Sequence, residues 1–495
     1  MLVNNLMKIN LEKRVNIWLF IIAFATAFSS TYNPLNFRRM HVDSSIYVTI
    51  AQGITRGQLP YRDLVDIKGP LAYLISVPGL YFGGFVGIWI TEIILLFITV
   101  FFAYKTALFF GDHFKAILGT AFSSVILLSF FTVNAGTEEY SLPFLMISLY
   151  IFTKHFFTVN RDTSFPELLI LGICFACAVL IKQNNFPLWA GFCLVIFTEA
   201  VIKRRFMLLG KYIAGFCLGI LIIFIPVFLY LKFNGILDLF FDQVILAGAA
   251  RGFSGGSLKE FVKNFYIVIN RNFSMLPLYI GFFLCLTKFK QTDFSFYLGY
   301  TLSYLLMVSF LSFASGDSHY NMVLIPFFVP ALVFLANILY SVFSKNKFNK
   351  AVLVLFLCFI FSEGLVKYLY DISKILHDNS GSQLFNAGKM IDENTKDGDK
   401  IISLGFNGYI YPFTQRDPAS KYFFQGSGQN LIPGSRDEFL SDVLTNKPAI
   451  IALFTAEDGI GQIMNDWHGQ IFEMIGKDYR VLSGENGFIL YIRNE

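Results

Sequence analysis

Charged residues are scarce in this sequence. Asp, Glu, Lys and Arg make up 15% of its 495 residues, whereas soluble domains carry about 25%. Hydrophobic residues make up 55% and aromatic residues 18%, a composition that excludes an ordinary soluble multidomain protein. Apolar runs of about 20 residues, separated by short connections, are typical of membrane helices. We recognise about eleven such runs and predict a polytopic α-helical membrane protein.

Cysteine is also rare, and none lies in the polar C-terminal region. All six cysteines fall within apolar runs, so we predict no disulfides. Cys174 and Cys177 form a C-x-x-C pattern, but thiols inside an apolar helix lack the exposure and positive surroundings that activate them. The pattern therefore favours packing over redox chemistry.

Several other signals are weak or missing. No internal repeat of about 20–50 residues is visible, which argues against a solenoid. GSGQNLIPG at 426–434 resembles a phosphate loop but does not match G-x-G-x-x-G, and no clear strand immediately precedes it, so an ordinary surface loop is favoured. No nucleic-acid partner is predicted.

Basic residues occur in every second connection between the apolar runs. If the N-terminus is cytoplasmic, every inner connection carries Lys or Arg, as the positive-inside rule requires. The first apolar run shows no clear cleavage site and is interpreted as a retained helix. The outer side then receives the loops 34–84 and 233–273 and everything after about 369. We predict a transmembrane domain over 1–369 and a small extracytoplasmic α/β domain over 370–495, in which SQLFNAGKMIDEN is helical and DKIISLGF, PAIIALF and FILYIR are strands.

The outer stretch 41–71 combines charge, Gly and Pro between two apolar segments. Ionisable groups this close to a bilayer are costly unless they are paired or functional. Basic residues on the outer side leave two explanations open. Either long loops cross the membrane irrespective of charge, or an external cavity binds an anion such as a lipid-linked phosphate. These basic residues are Arg56, Arg62, Lys68, Arg251, Lys259, Lys263 and Arg271.

A set of motifs in the outer segments gives a resemblance. An acid, Asp43, follows the first helix, and the turn Gly57–Pro60–Tyr61–Asp63 precedes a Lys-Gly-Pro-Leu at 68–71. This arrangement resembles the polyprenyl-phosphate-sugar-dependent glycosyltransferases of the GT-C fold, the group that includes protein O-mannosyltransferases and the lipid A aminoarabinose transferase. Further along, the resemblance continues in TEEY (Glu138, Glu139), KQNN (Lys182, Gln183) and SGDSHYNMVLIP (His319, Tyr320, Pro326).

The sequence also departs from that group. The aminoarabinose branch tends to place Glu before its Lys-Pro-Pro, whereas this chain has Ile67 before Lys68 and Gly69 after it. The donor sugar therefore stays open. A D-x-D-type metal-ligand set is absent from the outer membrane loops, and Asp397 and Asp399 form D-G-D only in the tail, where a polar turn is favoured. Following the resemblance, we expect a metal-independent reaction with no cofactor.

The resemblance implies roles for the acidic residues. Asp43 is the candidate general base for the acceptor hydroxyl, and a helix cap at the same position is the alternative. Glu138 or Glu139 is expected to orient the acceptor, or else to be a solvated turn acid. Asp63 and Asp66 are expected to pair with Arg62 or Lys68, in a turn that Tyr61 supports.

The basic residues are candidates for the donor phosphate. Lys68 comes first, because an ammonium at a helix start adds to the partial positive charge of free backbone amides; a Lys that extends to the lipid headgroups is the alternative, as it is for Lys182. The further candidates are Arg56, Arg251, Arg271, His319 and Tyr320. For a Tyr at this depth an interfacial belt residue is the common role, and for a lone His a hydrogen-bonded one.

Together these features predict a membrane glycosyltransferase that moves a sugar from a polyprenyl-phosphate donor to an acceptor hydroxyl on a glycan, lipid or protein. Single displacement with one base predicts inversion at the anomeric carbon. The predicted location is the outer face of a bacterial plasma membrane. The main alternative is a transporter or flippase for a lipid-linked sugar, although the charges collect at one face and no inverted repeat is visible. A third is a receptor or assembly protein whose external domain binds a partner.

Overall fold

The computed structural model describes the backbone of residues 2–35, 40–130, 136–159, 161–253, 257–270, 275–287, 294–313, 318–343, 347–377, 380–405, 408–426, 429–454, 460–485 and 488–494. The chain is mainly helical. Its helices are α1 Leu2–Phe28, α2 Val42–Thr55, α3 Leu71–Leu74, α4 Val77–Ala107, α5 His113–Phe130, α6 Thr137–Phe157, α7 Phe165–Ile181, α8 Pro187–Ile202, α9 Phe206–Phe233, α10 Leu237–Phe240, α11 Ala247–Phe253, α12 Leu258–Asn270, α13 Leu276–Thr287, α14 Phe294–Ser312, α15 Ile325–Phe343, α16 Lys347–His377, α17 Ser380–Glu393, α18 Ser435–Asn446 and α19 Ile460–Asp478.

The apolar helices form the membrane part. In the described residues, five segments are long and apolar enough to cross a membrane, namely Val77–Ala107, His113–Phe130, Phe206–Phe233, Phe294–Ser312 and Ser318–Asn337. Two shorter apolar helices are α7 and α8. The polytopic helical class is therefore confirmed, and the count of about eleven spans stays a prediction. Helix α7 packs on α9, α8 on α14, α13 on α15 and α4 on α6, around one large apolar core.

Helix α4 is interrupted near its start, close to the predicted end of the loop 34–84. Gly84 has a φ of 58°, so the helix is interrupted there. This left-handed conformation is one that Gly adopts without the penalty of a Cβ. Gly79 and Gly87 then pack backbone to backbone, since a Cβ on Gly79 would lie 2.6 Å from the Gly87 carbonyl oxygen. The long apolar helix thus begins at about the position predicted from the sequence.

The C-terminal part is a small α/β domain, as predicted. Its strands are β1 Lys400–Leu404, β2 Asp417–Pro418, β3 Ile450–Phe454, β4 Tyr479–Glu485 and β5 Phe488–Arg493, in the order β2-β1-β3-β5-β4. Strands β2, β1 and β3 are parallel, whereas β5 is antiparallel to β3 and to β4. The predicted helix and three predicted strands correspond to α17, β1, β3 and β5. The division at 369/370 stays a prediction, and α16 runs across it to His377.

The two faces of this sheet have different partners. One face packs with α18 and α19 in a cluster that includes Ile402, Phe439 and Ile471. The other face shares its core with the outer segments of the membrane part, because Ile401 and Ile450 fall in one cluster with Ile46, Tyr61 and Tyr73. The outer loop that carries the predicted site is therefore buried between the helices and the sheet.

The two cysteines of the C-x-x-C pattern agree with a packing role. Cys174 and Cys177 are free and buried in α7. The side chains of Cys285 and Cys358 lie outside the described residues.

Candidate active site

Asp43 lies in the first turn of α2. The position before the helix, the N-cap, is held by His41, whose side chain makes no capping hydrogen bond. Asp43 is therefore inside the helix. In this first turn the positive end of the helix dipole stabilises its negative charge. No hydrogen bond or ion pair to its carboxylate is found among the described residues. Its charge acts on Lys68, Lys182 and His41, which places these groups around it.

The turn after α2 is held in a strained conformation by several hydrogen bonds. Tyr61 has a φ of 70°, which is uncommon for a residue other than Gly. Its amide donates to the Leu64 carbonyl over 2.9 Å, and its own carbonyl accepts a 2.8 Å hydrogen bond from the Gln243 side chain. Asp63 pairs with Arg62 over 2.9 Å, as predicted, and this hydrogen bond lowers the pKa of the Asp63 carboxyl.

The backbone at Lys68 is fixed by two tyrosines. The hydroxyls of Tyr61 and Tyr73 donate to the Lys68 carbonyl over 2.9 and 3.2 Å. The Tyr73 hydroxyl also donates to Asp66 over 2.8 Å, and the Ile67 amide donates to the other Asp66 oxygen over 2.8 Å. Burial raises the pKa of the Asp66 carboxyl. Asp66 thus stabilises the loop and lies next to Lys68, but among the described residues it forms the predicted ion pair with neither Lys68 nor Arg62, because its oxygens are bound by Tyr73 and the Ile67 amide.

Gly69 brings this loop against the end of α7. A Cβ on Gly69 would lie 2.0 Å from the carbonyl oxygen of Leu180, a distance that no side chain tolerates. The close approach explains why this chain has Gly between Lys68 and Pro70. It also sets Lys68 beside Lys182, which directly follows α7.

Lys68 lies in a cationic environment. Burial, together with the charges of Lys182 and Arg251, lowers the pKa of its ammonium to about 8, against the opposing effect of Asp43 and Asp66. No ion pair to Lys68 is formed within the described parts of the chain. Three cations thus converge on one place, and a bound anion would offset their repulsion.

Lys182 is held by an acid and an aromatic ring. Its ammonium donates a hydrogen bond to Glu138 in the first turn of α6, and both side chains are buried. The same ammonium lies 3.8 Å from the centre of the Tyr320 ring, a cation–π contact. His319 stacks edge-on against Tyr320 at 4.3 Å, and its charge acts on Glu138. Segments far apart in the sequence therefore meet here.

The structure brings most of the predicted residues together but separates others. The central group consists of Asp43, Asp66, Lys68, Glu138, Lys182, Arg251, His319 and Tyr320.

Three further candidates are not part of this central group. Glu139 and Arg56 lie elsewhere in the structure, and Arg271 is not among the described residues. Glu139 is buried near Tyr32 and Tyr140. Arg56 is half exposed and pairs with Asp417 of the C-terminal domain over 3.3 Å.

Sequence reasoning missed several residues of this site. Tyr47 is buried and lies within electrostatic range of Asp43, Asp66 and Glu138. His41 lies beside Asp43 and His319, and burial lowers the pKa of its imidazole. The position of His41 two residues before Asp43 was a usable signal, as was the spacing of Tyr47 by one helical turn from Asp43.

Comparison with known proteins relates the fold to solved structures. No protein-family model and no curated protein matches the sequence. The crystal structure of ArnT from Cupriavidus metallidurans bound to undecaprenyl phosphate is similar, with a TM-score of 0.61 and 13% identity over 96% of this chain and 97% of that chain. The archaeal oligosaccharyltransferase AglB from Archaeoglobus fulgidus, in complex with an inhibitory peptide and a dolichol-phosphate, gives a TM-score of 0.57 and 12% identity over 98% of this chain and 75% of that chain.

Both similarities extend over almost the whole of this chain, and both are too low in identity to show more than the architecture. Together with the helical membrane part and the C-terminal sheet, they agree with the fold predicted from the outer motifs. The chain has the GT-C fold of these glycosyltransferases.

Proposed function

We propose that this protein is a membrane glycosyltransferase that moves a sugar from a polyprenyl-phosphate donor to an acceptor hydroxyl. The observation that carries the proposal is the electrostatic interaction of Lys68 with two further cations, Lys182 and Arg251, and with the carboxylate of Asp43. An anionic phosphate suits the cations, and a carboxylate that forms no ion pair among the described residues suits a base. The similar structures add support, since undecaprenyl phosphate is bound to ArnT and a dolichol-phosphate to AglB.

The cations would act on the leaving group. As the bond between the anomeric carbon and the phosphate oxygen breaks, negative charge develops on the phosphate. Lys68 and Arg251 are positioned to offset it, and fixed cations in a partly dry site do so without reorganising. Since these side chains supply positive charge directly, we propose a reaction that proceeds without a metal ion.

Asp43 would act on the acceptor. Its carboxylate takes the proton from the acceptor hydroxyl while the hydroxyl oxygen attacks the anomeric carbon from the side opposite the phosphate. One displacement of this kind releases polyprenyl phosphate and inverts the anomeric configuration. General base catalysis of this type typically contributes about 10²–10⁴-fold.

Glu138 has a different role in this proposal from Asp43. Its carboxylate accepts a hydrogen bond from Lys182 and is buried, so it holds that ammonium in place and does not remove the acceptor proton. Glu139 lies near Tyr32 and Tyr140 and is assigned no step. The acceptor is a glycan, lipid or protein at the outer face of a bacterial plasma membrane.

The test is sugar transfer by purified protein from synthetic polyprenyl-phosphate sugars with EDTA present. We expect the wild type to transfer. Asp43→Asn should lose about 10²–10⁴-fold in turnover while it still binds the donor, and Lys68→Ala should bind the donor more weakly. Asp242→Asn, which removes an exposed outer carboxylate, is the matched control and should remain active.

Two outcomes would contradict the proposal. Full activity of Asp43→Asn would remove the base from the mechanism. The absence of transfer from every donor, with a lipid-linked sugar crossing the bilayer of liposomes that contain the protein, would favour the flippase.

A further inference from the structure

Val65, three residues before Lys68, is built into the C-terminal domain. Its side chain is fully buried in the apolar cluster between the sheet and α18 and α19. Every other member of that cluster comes from the C-terminal part of the chain, among them Ile402, Leu404 and Phe439. A residue of the outer membrane loop is therefore part of the core of a domain that begins hundreds of residues later.

The backbone of Val65 is also bound by that domain. Its amide donates to the Lys421 carbonyl over 3.0 Å. Its carbonyl accepts a 3.2 Å hydrogen bond from the side-chain amide of Gln429. Both backbone groups of Val65 thus have partners that lie more than 350 positions away in the sequence.

Gln429 is held in place by its own domain. It is 1% exposed and begins a short helical turn within the segment GSGQNLIPG. Its side-chain oxygen accepts a hydrogen bond from the Gly426 amide over 3.3 Å, and the Ser435 hydroxyl donates to its carbonyl over 2.9 Å. Gln429, which lies within the segment that resembles a phosphate loop, is therefore held so that its side-chain amide reaches the outer loop.

Val65 lies close to Lys68 along the chain. Lys68 is three residues further on, a span of at most about 10 Å. The intervening Asp66 is bound to Tyr73, and Gly69 is in contact with Leu180. Val65 and Lys68 thus belong to one short segment with many contacts, so the position of Val65 limits the positions that Lys68 can take.

We propose that Val65 and Gln429 form a latch through which the C-terminal domain positions Lys68 for the donor phosphate. Gln429 is a positioning residue that acts through Val65. The inference rests on the proposed function, which assigns the phosphate to Lys68.

The test compares two buried glutamines of the same domain. Gln429→Met keeps the size of the side chain and removes the donor to Val65. Gln425→Met is the matched control, because Gln425 is buried and binds Gly405 and Tyr422 within the domain. Each purified variant is assayed for binding of undecaprenyl phosphate, for the pH dependence of that binding, and for hydrogen exchange of the amides in 59–70.

If the latch positions Lys68, Gln429→Met weakens the binding of undecaprenyl phosphate about five- to tenfold. It also speeds the hydrogen exchange of the amides in 59–70. It also moves the alkaline loss of binding to higher pH, because a released Lys68 becomes more hydrated. Gln425→Met leaves all three properties as in the wild type, even where it lowers the thermal stability of the domain.

Three results would overturn the latch. The first is unchanged exchange and binding in Gln429→Met. The second is an equal change in both variants, which would reduce the effect to domain stability. The third is a wild type that binds no polyprenyl phosphate, and this result alone also removes the proposed function.

Discussion

Glu138 and Lys182 form a buried ion pair that joins the first turn of α6 to the residue after α7. Their side chains are 5% and 10% exposed, so both charges are largely removed from water. Such a pair is worth little as a source of stability, but loss of one partner leaves an uncompensated charge. The pairing offsets the charge of Lys182, whereas Lys68 forms no ion pair among the described residues and is the better placed of the two lysines to bind a donor phosphate.

The first prediction concerns this pair. Glu138→Gln should destabilise the protein by about 3–5 kcal/mol, because the Lys182 ammonium stays buried without its carboxylate. The double variant Glu138→Gln/Lys182→Met should recover much of that stability, since it removes both charges. Thermal unfolding of the purified variants in detergent measures the difference, and a double variant no more stable than Glu138→Gln would contradict the pairing as the cause.

The second prediction is a pH dependence of donor binding. The pKa of Lys68 is lowered to about 8, so its ammonium is charged below that pH and neutral above it. Binding of a polyprenyl-phosphate sugar should therefore weaken as the pH rises through about 8. A phosphodiester donor is suitable because its own charge does not change there, and leaving out the acceptor prevents sugar transfer during the titration while Asp43, which raises the pKa of Lys68, stays in place.

Lys68→Arg provides the comparison for this titration. A guanidinium stays charged because its pKa lies above about 12, so the alkaline loss of binding should disappear in this variant. The same alkaline loss in both proteins would assign the titration to another group.

The local parts of the site could be predicted from the sequence, and the long-range pairings could not. Asp43, Tyr61, Asp63 and Lys68 lie within one short segment, so their motif is visible in the sequence. The partner of Lys182 lies 44 positions away, and that choice depends on how α6 and α7 pack. Arg56 shows the limit most clearly, because its charge fits a phosphate site while the fold places it against Asp417.

For the C-terminal sheet, too, the sequence predicts some strands and not others. Strand β5 was recognised from its continuous apolar run, but β4 was not. Strand β4 lies at the edge of the sheet, includes a register shift between Val481 and Ser483, and leaves Val481 exposed. An edge strand with one solvated face lacks the apolar pattern on which prediction depends.

The third prediction concerns Gly69. Gly69→Ala would place a Cβ 2.0 Å from the Leu180 carbonyl oxygen, so the loop must move away from α7. We expect Lys68 to be displaced and donor affinity to fall at least tenfold, a change equal to about 1.4 kcal/mol. Binding of a polyprenyl-phosphate sugar measures it. Gly210→Ala is the control, because open space surrounds that position in α9; equal binding by both variants would contradict a need for the close approach.

The fourth prediction separates two arginines that look alike in the sequence. Arg251 acts on Lys68, whereas Arg56 pairs with Asp417 at the surface. An exposed pair of this kind is worth about 0–1 kcal/mol, so Arg56→Ala should change donor affinity by less than about twofold. Arg251→Ala removes a charge close to the phosphate position and should weaken binding about tenfold or more. Titration of each variant with the same polyprenyl-phosphate sugar at low and moderate salt compares them directly. A large loss in Arg56→Ala with none in Arg251→Ala would place the phosphate on the side of the C-terminal domain, and would move the donor site away from Lys68.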